Sequence, residues 1–394
     1  MNKVIGAGGV KPLPAGRYRP TARRRGTSPP LPMATGVRGI LRGEMPIQFS
    51  LAIVFLVAFG ASFLASFAAK TLGVRAGMVD KPRPGEVQSR ILPRTGGYAL
   101  YLAFMAAALA GAYLIPRSEQ ESWRLAGVLL GATAVLPLAF LDDRHRLAPP
   151  PQLVGQIIIA SIPIAFGVVV DSVATPFWGM IQLPVWLVVP FTILWIVGMI
   201  NTVNLVDVMD GLAAGVSAIA ALVLFARGVI DFGQYDIAIL PLALAGCCLG
   251  FLPHNFHPSR IIMGSSGALL LGYGLAVMSI MGGAKVATAL LVLGVPIADV
   301  AWVIVRRLTS GRSPLKGGDR QHLPQRLHGA GLSQRQIVLF FYLLCAAFGL
   351  AAARLNSVQK VYAFVALVIV MGTIFYILAR SGRSGASLKG RDRP

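Results

Sequence analysis

The stretch LPVWLVVPFTILWIVGMINTVNLVDVMDGLAAG, residues 183–215, decides the fold. Its first part, Leu183 to Ile200, carries no charge and is close to the ~20 residues that cross a hydrocarbon core. Asn201, Asn204, Asp207 and Asp210 then fall within ten residues, and apolar chain resumes after them. Carboxylates are costly inside hydrocarbon. This one therefore reads as a membrane-spanning helix that ends in a polar, oxygen-rich turn before the next span.

Runs of the same kind recur. The 394 residues are 55% hydrophobic and only 13% charged, against roughly 25% charged in a soluble domain. The runs are continuously apolar, unlike the alternating strands of a membrane barrel. The fold class that follows is an all-α polytopic membrane protein with about eleven transmembrane helices. Expected spans are 48–69, 96–115, 124–141, 153–170, 184–200, 211–226, 237–252, 261–280, 286–305, 336–353 and 361–379. Residues 1–44, Pro- and Gly-rich with nine Lys/Arg, are expected to be a disordered basic tail. Met45 reads like a natural start. Residues 45–380 form the membrane domain, and 381–394 a basic cytoplasmic tail. Cys247, Cys248 and Cys345 lie in apolar runs without a CxxC pair, so they read as small hydrophobes rather than disulfides or zinc ligands.

Eleven crossings sort the connecting segments onto two sides. One side carries 21 Lys/Arg, in 70–95, 142–152, 253–260, 306–335 and the C-terminal tail; the other carries six. The positive-inside rule makes the rich side cytoplasmic. The formal charge of +21 thus reports topology and lipid contact, not nucleic acid. The five polar segments around residues 80–97, 142–152, 201–211, 253–260 and 311–327 share that side, which suggests an active site served from the cytoplasm.

Two adjacent carboxylates, Asp142 and Asp143, repel unless a cation or a shared proton relieves them. They read either as an interfacial helix end paired with Arg144 and Arg146 or as metal and phosphate chemistry. Asn201, Asn204, Asp207 and Asp210 recur every three residues, so on a helix neighbours in the series can share a site while the ends diverge. Oxygen-only donors suit a hard cation such as Mg²⁺, not zinc. The basic segment with Arg306, Arg307, Arg312, Lys316, Arg320, His322 and Arg326 fits phosphate recognition or a solvated topological loop. Asp299, inside a span, calls for a specific partner. His145, His254, His257 and His328 read as structural or solvated.

Taken in order, LDDRHRL (141–147) with Gln156, NTVNLVDVMDGLAAG (201–215), GFLPHNFHPSRIIMG (250–264), GVPIAD (294–299) and GRSPLKGGDRQHLPQRL (311–327) resemble the polyprenyl-phosphate N-acetylhexosamine-1-phosphate transferases, relatives of phospho-N-acetylmuramoyl-pentapeptide transferase. The resemblance runs from about residue 48 to 379. It implies transfer of an N-acetylhexosamine-1-phosphate from a UDP-sugar to a polyprenyl phosphate in the plasma membrane, releasing UMP, for cell-envelope glycans. It implies Mg²⁺ or Mn²⁺ as cofactor, Asp142 and Asp143 as catalytic residues, and Asp207, Asp210 and Asp143 at the metal. It places Asn201, Asn204, Asn255, Arg320, His322 and Arg326 at the substrate, and a homodimer is compatible with it. This chain departs from the family pattern at Ser265, where the family has Asp, and at Gln88, Gly85-Glu86, Gln152 and Pro324-Gln325. Two other readings stand beside it: a relative that binds these ligands without turnover, and a transporter.

Overall fold

The computed structural model describes residues 45–80, 90–175, 179–230, 233–281, 286–311 and 322–389. The expectations for 1–44, Gln88, Gly85-Glu86, Arg312, Lys316 and Arg320 fall outside them. The chain forms two units, Met1–Pro46 and Ile47–Pro394, and the second carries every element below.

Thirteen helices dominate the described residues: α1 (Ile47–Arg75), α2 (Gly96–Leu114), α3 (Glu119–His145), α4 (Pro149–Ala165), α5 (Val185–Val206), α6 (Leu212–Ile230), α7 (Tyr235–Asn255), α8 (Gly264–Met281), α9 (Val286–Val292), α10 (Gly294–Thr309), α11 (Leu323–Gly329), α12 (Gln334–Arg354) and α13 (Ser357–Lys389). Two antiparallel pairs complete the described elements, β1 (Val79–Asp80) with β2 (Leu92–Pro93) and β3 (Ser172–Thr175) with β4 (Gly179–Gln182). Among the described residues nine helices are long and apolar enough to cross a membrane, and the bent pair α9–α10 would make ten. The 17-residue α4, about 25 Å long, falls just short of that test, so the described residues show nine or ten of the eleven expected spans.

Helix ends follow local chemistry. Ser118 caps α3 by accepting from the Glu121 N–H at 3.1 Å, with Glu119 and Glu121 in the positive first turn. At the other end Arg146 adopts a left-handed conformation, φ 50°, and its N–H closes on the Asp142 carbonyl. Ser333 and Gln336 form a reciprocal capping box at the start of α12.

α8 sits at the centre, with all of its residues buried. Neighbouring backbones reach it because glycine removes the side chain between them. A Cβ on Gly97 would lie 2.0 Å from Gly267 N, and one on Gly272 would lie 2.6 Å from Ile200 Cα. Association in lipid depends on such close packing and on interhelical hydrogen bonds. The Tyr273 hydroxyl donates to the Val128 carbonyl at 3.0 Å, and the Trp195 indole N–H reaches the Ser279 hydroxyl at 3.0 Å. Outer helices are inverted in character: α1 exposes Leu56, Leu64, Phe67 and Leu72, as a lipid-facing surface should.

One expected element differs. The apolar run at 286–305 is not one straight helix: α9 and α10 meet at a 77° bend. Pro296 has no N–H to bond the Val292 carbonyl, and its ring crowds that carbonyl. Gly294, on the α10 side of the break, lets Leu367 of α13 approach; a Cβ there would lie 2.4 Å from Leu367 Cδ1.

Candidate active site

The described parts of the polar segments are tied to one another by hydrogen bonds and ion pairs. The β2 end bonds the segment before α8: Ile262 N–H to the Pro93 carbonyl at 2.9 Å and Gly96 N–H to the Ile262 carbonyl at 3.0 Å. Arg146 reaches Asp80 at 3.1 Å, joining the α3 end to β1. Arg335, at the start of α12, donates to the His257 carbonyl at 3.1 Å.

Asp143, on the last turn of α3, has a nearly inaccessible side chain, 1% exposed, 3.0 Å from Arg94 Nε. Its two oxygens also accept the Ser265 N–H at 2.9 Å and the Ser266 N–H at 3.3 Å. Those are the orphan amides of the first turn of α8, where the dipole favours an anion. Gly264 makes that approach possible: its φ is +72°, and an added Cβ would lie 3.2 Å from Asp143 Oδ1. Asp142 Oδ1 accepts from Leu147 N–H at 3.0 Å. Its Oδ2 accepts from the Ser265 hydroxyl at 2.5 Å and from Gln152 at 3.4 Å. Ser265 and Gln152, two departures from the family pattern, thus meet on one oxygen of Asp142. The expected pairing of the acidic pair with Arg144 and Arg146 is replaced by Arg94, Ser265 and Gln152, because α8 brings its N-terminus against the end of α3.

The series from Asn201 to Asp210 crosses a helix end instead of lying on one helix. α5 stops at Val206, and Asp207 is its C-terminal cap residue. Asn201 pairs with Gln156 of α4, its Nδ2 donating to Gln156 Oε1 at 2.6 Å. Asn204 is half-buried and makes no hydrogen bond among the described residues. Asp210 Oδ2 contacts His257 Nδ1 at 2.9 Å and accepts from Ser259 N–H at 3.2 Å. Gly211, φ +80°, is held at both ends: its N–H donates to Asn255 Oδ1 at 3.1 Å and its carbonyl accepts from Tyr342. The other end of the Asn255 amide donates to the Ile261 carbonyl at 3.0 Å. Asn255 is therefore a buried tie between the turn and the segment leading to α8.

Asp207 differs from its neighbours. It is half-buried and accepts no hydrogen bond among the described residues. Burial pushes its carboxyl up to about 7; Arg94 pulls the other way, and the Asp210 and Asp143 carboxylates push it further. Those interactions place Asp143, Asp207, Asp210 and Arg94 in one electrostatic neighbourhood. No three His, Cys, Asp or Glu side chains among the described residues stand close enough to hold one metal ion. The donor set still fits a hard cation, which commonly takes one or two carboxylates and completes its shell with water and phosphate oxygens. Beside the acidic residues opens a cleft of about 480 Å³ lined by Met78, Arg94, Asp143, Arg144, His145 and Arg146 among others, a basic rim suited to phosphate.

The remaining expected site residues lie elsewhere. His322 is buried, its Nδ1 2.9 Å from Asp299 Oδ2, and Leu323 N–H donates to Asp299 Oδ1 at 2.7 Å. This is the partner that an acid inside a span called for. Arg326 stacks over the Phe375 ring, 5.6 Å from its centroid. Arg94, Ser259 and the role of His257 escaped sequence reasoning. The one legible signal for Arg94 was its place in the PRTGG run on the same side as the acidic loops.

The sequence model of glycosyl transferase family 4 matches residues 125–283, the segment from α3 through α8 that carries these carboxylates. The chain is 33% identical over 314 residues to the probable undecaprenyl-phosphate N-acetylglucosaminyl 1-phosphate transferase of Bacillus subtilis, covering 78% of this chain and 85% of that protein. It is 34% identical over 368 residues to the decaprenyl-phosphate N-acetylglucosaminephosphotransferase of Mycolicibacterium smegmatis, covering 85% and 90%. A phospho-N-acetylmuramoyl-pentapeptide-transferase of Pelotomaculum thermopropionicum is 31% identical over 291 residues, covering 68% and 84%. With matches of that extent running through the helices that build the acidic mouth, the chain belongs to glycosyl transferase family 4.

Proposed function

We propose that the chain transfers an N-acetylhexosamine-1-phosphate from a UDP-sugar to a polyprenyl phosphate, leaving a polyprenyl-diphosphate sugar in the membrane and releasing UMP. One observation carries the reading: carboxylates and Arg94 gather at helix ends where apolar spans give way to polar turns, beside a cleft rimmed by arginines. An oxygen of the lipid phosphate forms a bond to the β-phosphorus of the UDP-sugar. The bond from that phosphorus to the bridging oxygen breaks, and the electron pair leaves with UMP. Such transfer needs positioning and charge neutralisation above all. Arg94, Arg144 and Arg146 are suited to hold the phosphate oxygens, and the lipid tail stays among the spans. Mg²⁺ or Mn²⁺, held through Asp207 and its neighbours, would neutralise the diphosphate. The excess of 21 basic residues over six supports a plasma-membrane protein with this mouth on the cytoplasmic side.

A second reading, binding without turnover, is favoured by the neutral Ser265 and Gln152 on Asp142 and by the lack of a three-carboxylate cluster among the described residues. UMP release decides between them. Membranes carrying the chain, given UDP-N-acetylglucosamine and related UDP-sugars with a polyprenyl phosphate, should release UMP when Mg²⁺ is present and not with chelator. Release no greater than that of an Asp207→Asn control, with every UDP-sugar, would sink the transferase reading.

A further inference from the structure

We infer that Lys70 and Arg260 hold the headgroup of an anionic phospholipid on the basic side of the membrane, with one acyl chain laid along a phenylalanine ladder on α1. The site lies at the seam of α1 and α7 and does not depend on the transferase reading. Phe55, Phe59, Phe63 and Phe67 stand four residues apart, so they fall along one face of α1. Their rings follow one another at centroid spacings of 6.3, 6.4 and 5.4 Å. From first to last the helix rises by about 18 Å, against ~15 Å for one leaflet's half of the hydrocarbon core. The ladder thus matches the depth of one acyl chain. Phe59 is 36% exposed and Phe67 50%, so lipid reaches its outer edge. The seam behind it is tightly packed. A Cβ on Gly250 of α7 would lie 2.2 Å from the Phe59 carbonyl oxygen, and one on Gly246 2.7 Å from Ala58 Cβ. The Ser62 hydroxyl donates to the Cys247 carbonyl at 2.7 Å. The buried His254 of α7 closes the ladder, its ring centroid 4.8 Å from that of Phe63 and 4.4 Å from that of Phe67.

The charge stands at that same end. Lys70 follows Phe67 by one turn of α1, and the Arg260 N–H donates to the His254 carbonyl at 2.8 Å. Both side chains act electrostatically on His254, which sets them in one neighbourhood. Both residues are exposed, and neither makes a side-chain hydrogen bond or ion pair among the described residues. Like charges gathered without a counter-ion disfavour each other, and a phosphodiester relieves both. At a membrane surface each Lys or Arg favours an anionic lipid by about fivefold, so the pair favours it by about thirtyfold. A zwitterionic lipid brings its own cation to the same place and gains little. A polyprenyl chain is longer than one leaflet is deep and would overrun the ladder.

The test is native mass spectrometry of the purified full chain, stripped of lipid in detergent and titrated with phosphatidylglycerol or phosphatidylcholine of the same acyl chains. The wild type should hold phosphatidylglycerol about thirtyfold more tightly than phosphatidylcholine. Lys70→Gln and Arg260→Gln should each lower that preference about fivefold, and the double variant should abolish it. Arg354→Gln, on the side with few basic residues, should leave it unchanged. Phe59→Ala should weaken both lipids alike, because it interrupts the ladder and spares the charges. The inference is overturned if the wild type holds the two lipids equally, or if the double variant keeps the preference with an unchanged thermal midpoint. Unchanged affinities in Phe59→Ala would overturn it too. Displacement of phosphatidylglycerol by polyprenyl phosphate at equal concentration would do the same, since the site would then belong to the acceptor lipid. Should the double variant not fold, the two single variants decide.

Discussion

At the scale of single residues, the site is a division of labour among carboxylates that look alike in sequence. Asp207 is a member whose carboxyl is pushed up by burial. Its folded-state carboxyl stands at about 7, above the ordinary 3.8, so between those values the folded chain binds more protons than the unfolded chain. Its contribution to stability is therefore present at low pH and is lost as pH rises through about 7. Without divalent cation, the thermal midpoint of the wild type should fall between pH 5 and pH 7 more than that of Asp207→Asn. Mg²⁺ should restore stability at pH 8 and do little at pH 6, where the proton competes with the metal. Equal pH dependence in the two proteins would show that another group titrates. Ser265→Ala removes one donor from a partly buried carboxylate, which should cost about 1–3 kcal/mol, measured by thermal or denaturant unfolding in detergent. Which acids are tied and which is open was not legible in the sequence. Asp142 and Asp143 are adjacent in the chain and Ser265 is more than a hundred residues away; only the docking of α8 against α3 decides their partners.

At the scale of elements, glycine contacts set the distance between the helices that carry the site. Gly272 of α8 packs directly on the backbone of α5 near Ile200, one helical stretch before Asp207. Gly272→Ala should lower stability by about 1–3 kcal/mol through overpacking. It should also reduce UMP release, because α5 must move and Asp207 with it. Gly60→Ala on α1 is the control: nothing lies within 4 Å of its added Cβ, so it should be neutral or slightly stabilising through helix propensity. Equal losses in both would mean that the close approach is not what matters. Periodicity and length located α5 and α8 from sequence, but glycine spacing does not name the helix that will come near. The bend between α9 and α10 was hidden for a related reason. Leu293, Gly294 and Pro296 are all acceptable in an apolar run, and hydropathy does not register a missing hydrogen bond.

For the whole molecule, the charge asymmetry between the two sets of loops makes a topological prediction. A single engineered cysteine at Glu119, the exposed first residue of α3, should react with a membrane-impermeant maleimide on intact cells. One at Ala148, between α3 and α4, should react only after the membrane is opened. The native Cys247, Cys248 and Cys345 are buried and give little background. The reverse pattern would place the acidic mouth outside and remove nucleotide access from the cytosol.

The sequence by itself determined that this chain is a bundle of membrane helices with polar turns at their ends, because hydrocarbon admits only long apolar segments whose backbone groups are satisfied internally. It also determined which acids could matter, since carboxylates are tolerated near a membrane only where something compensates them. The tertiary structure alone decided that compensation. It set Asp143 on the amides of α8 and Arg94, Asp142 on Ser265 and Gln152, Asp299 on His322, and Asp207 on no donor among the described residues. The reason is physical: hydrophobicity is summed along a segment and survives without neighbours, whereas a hydrogen bond between distant residues exists only where packing brings its two ends within about 3 Å.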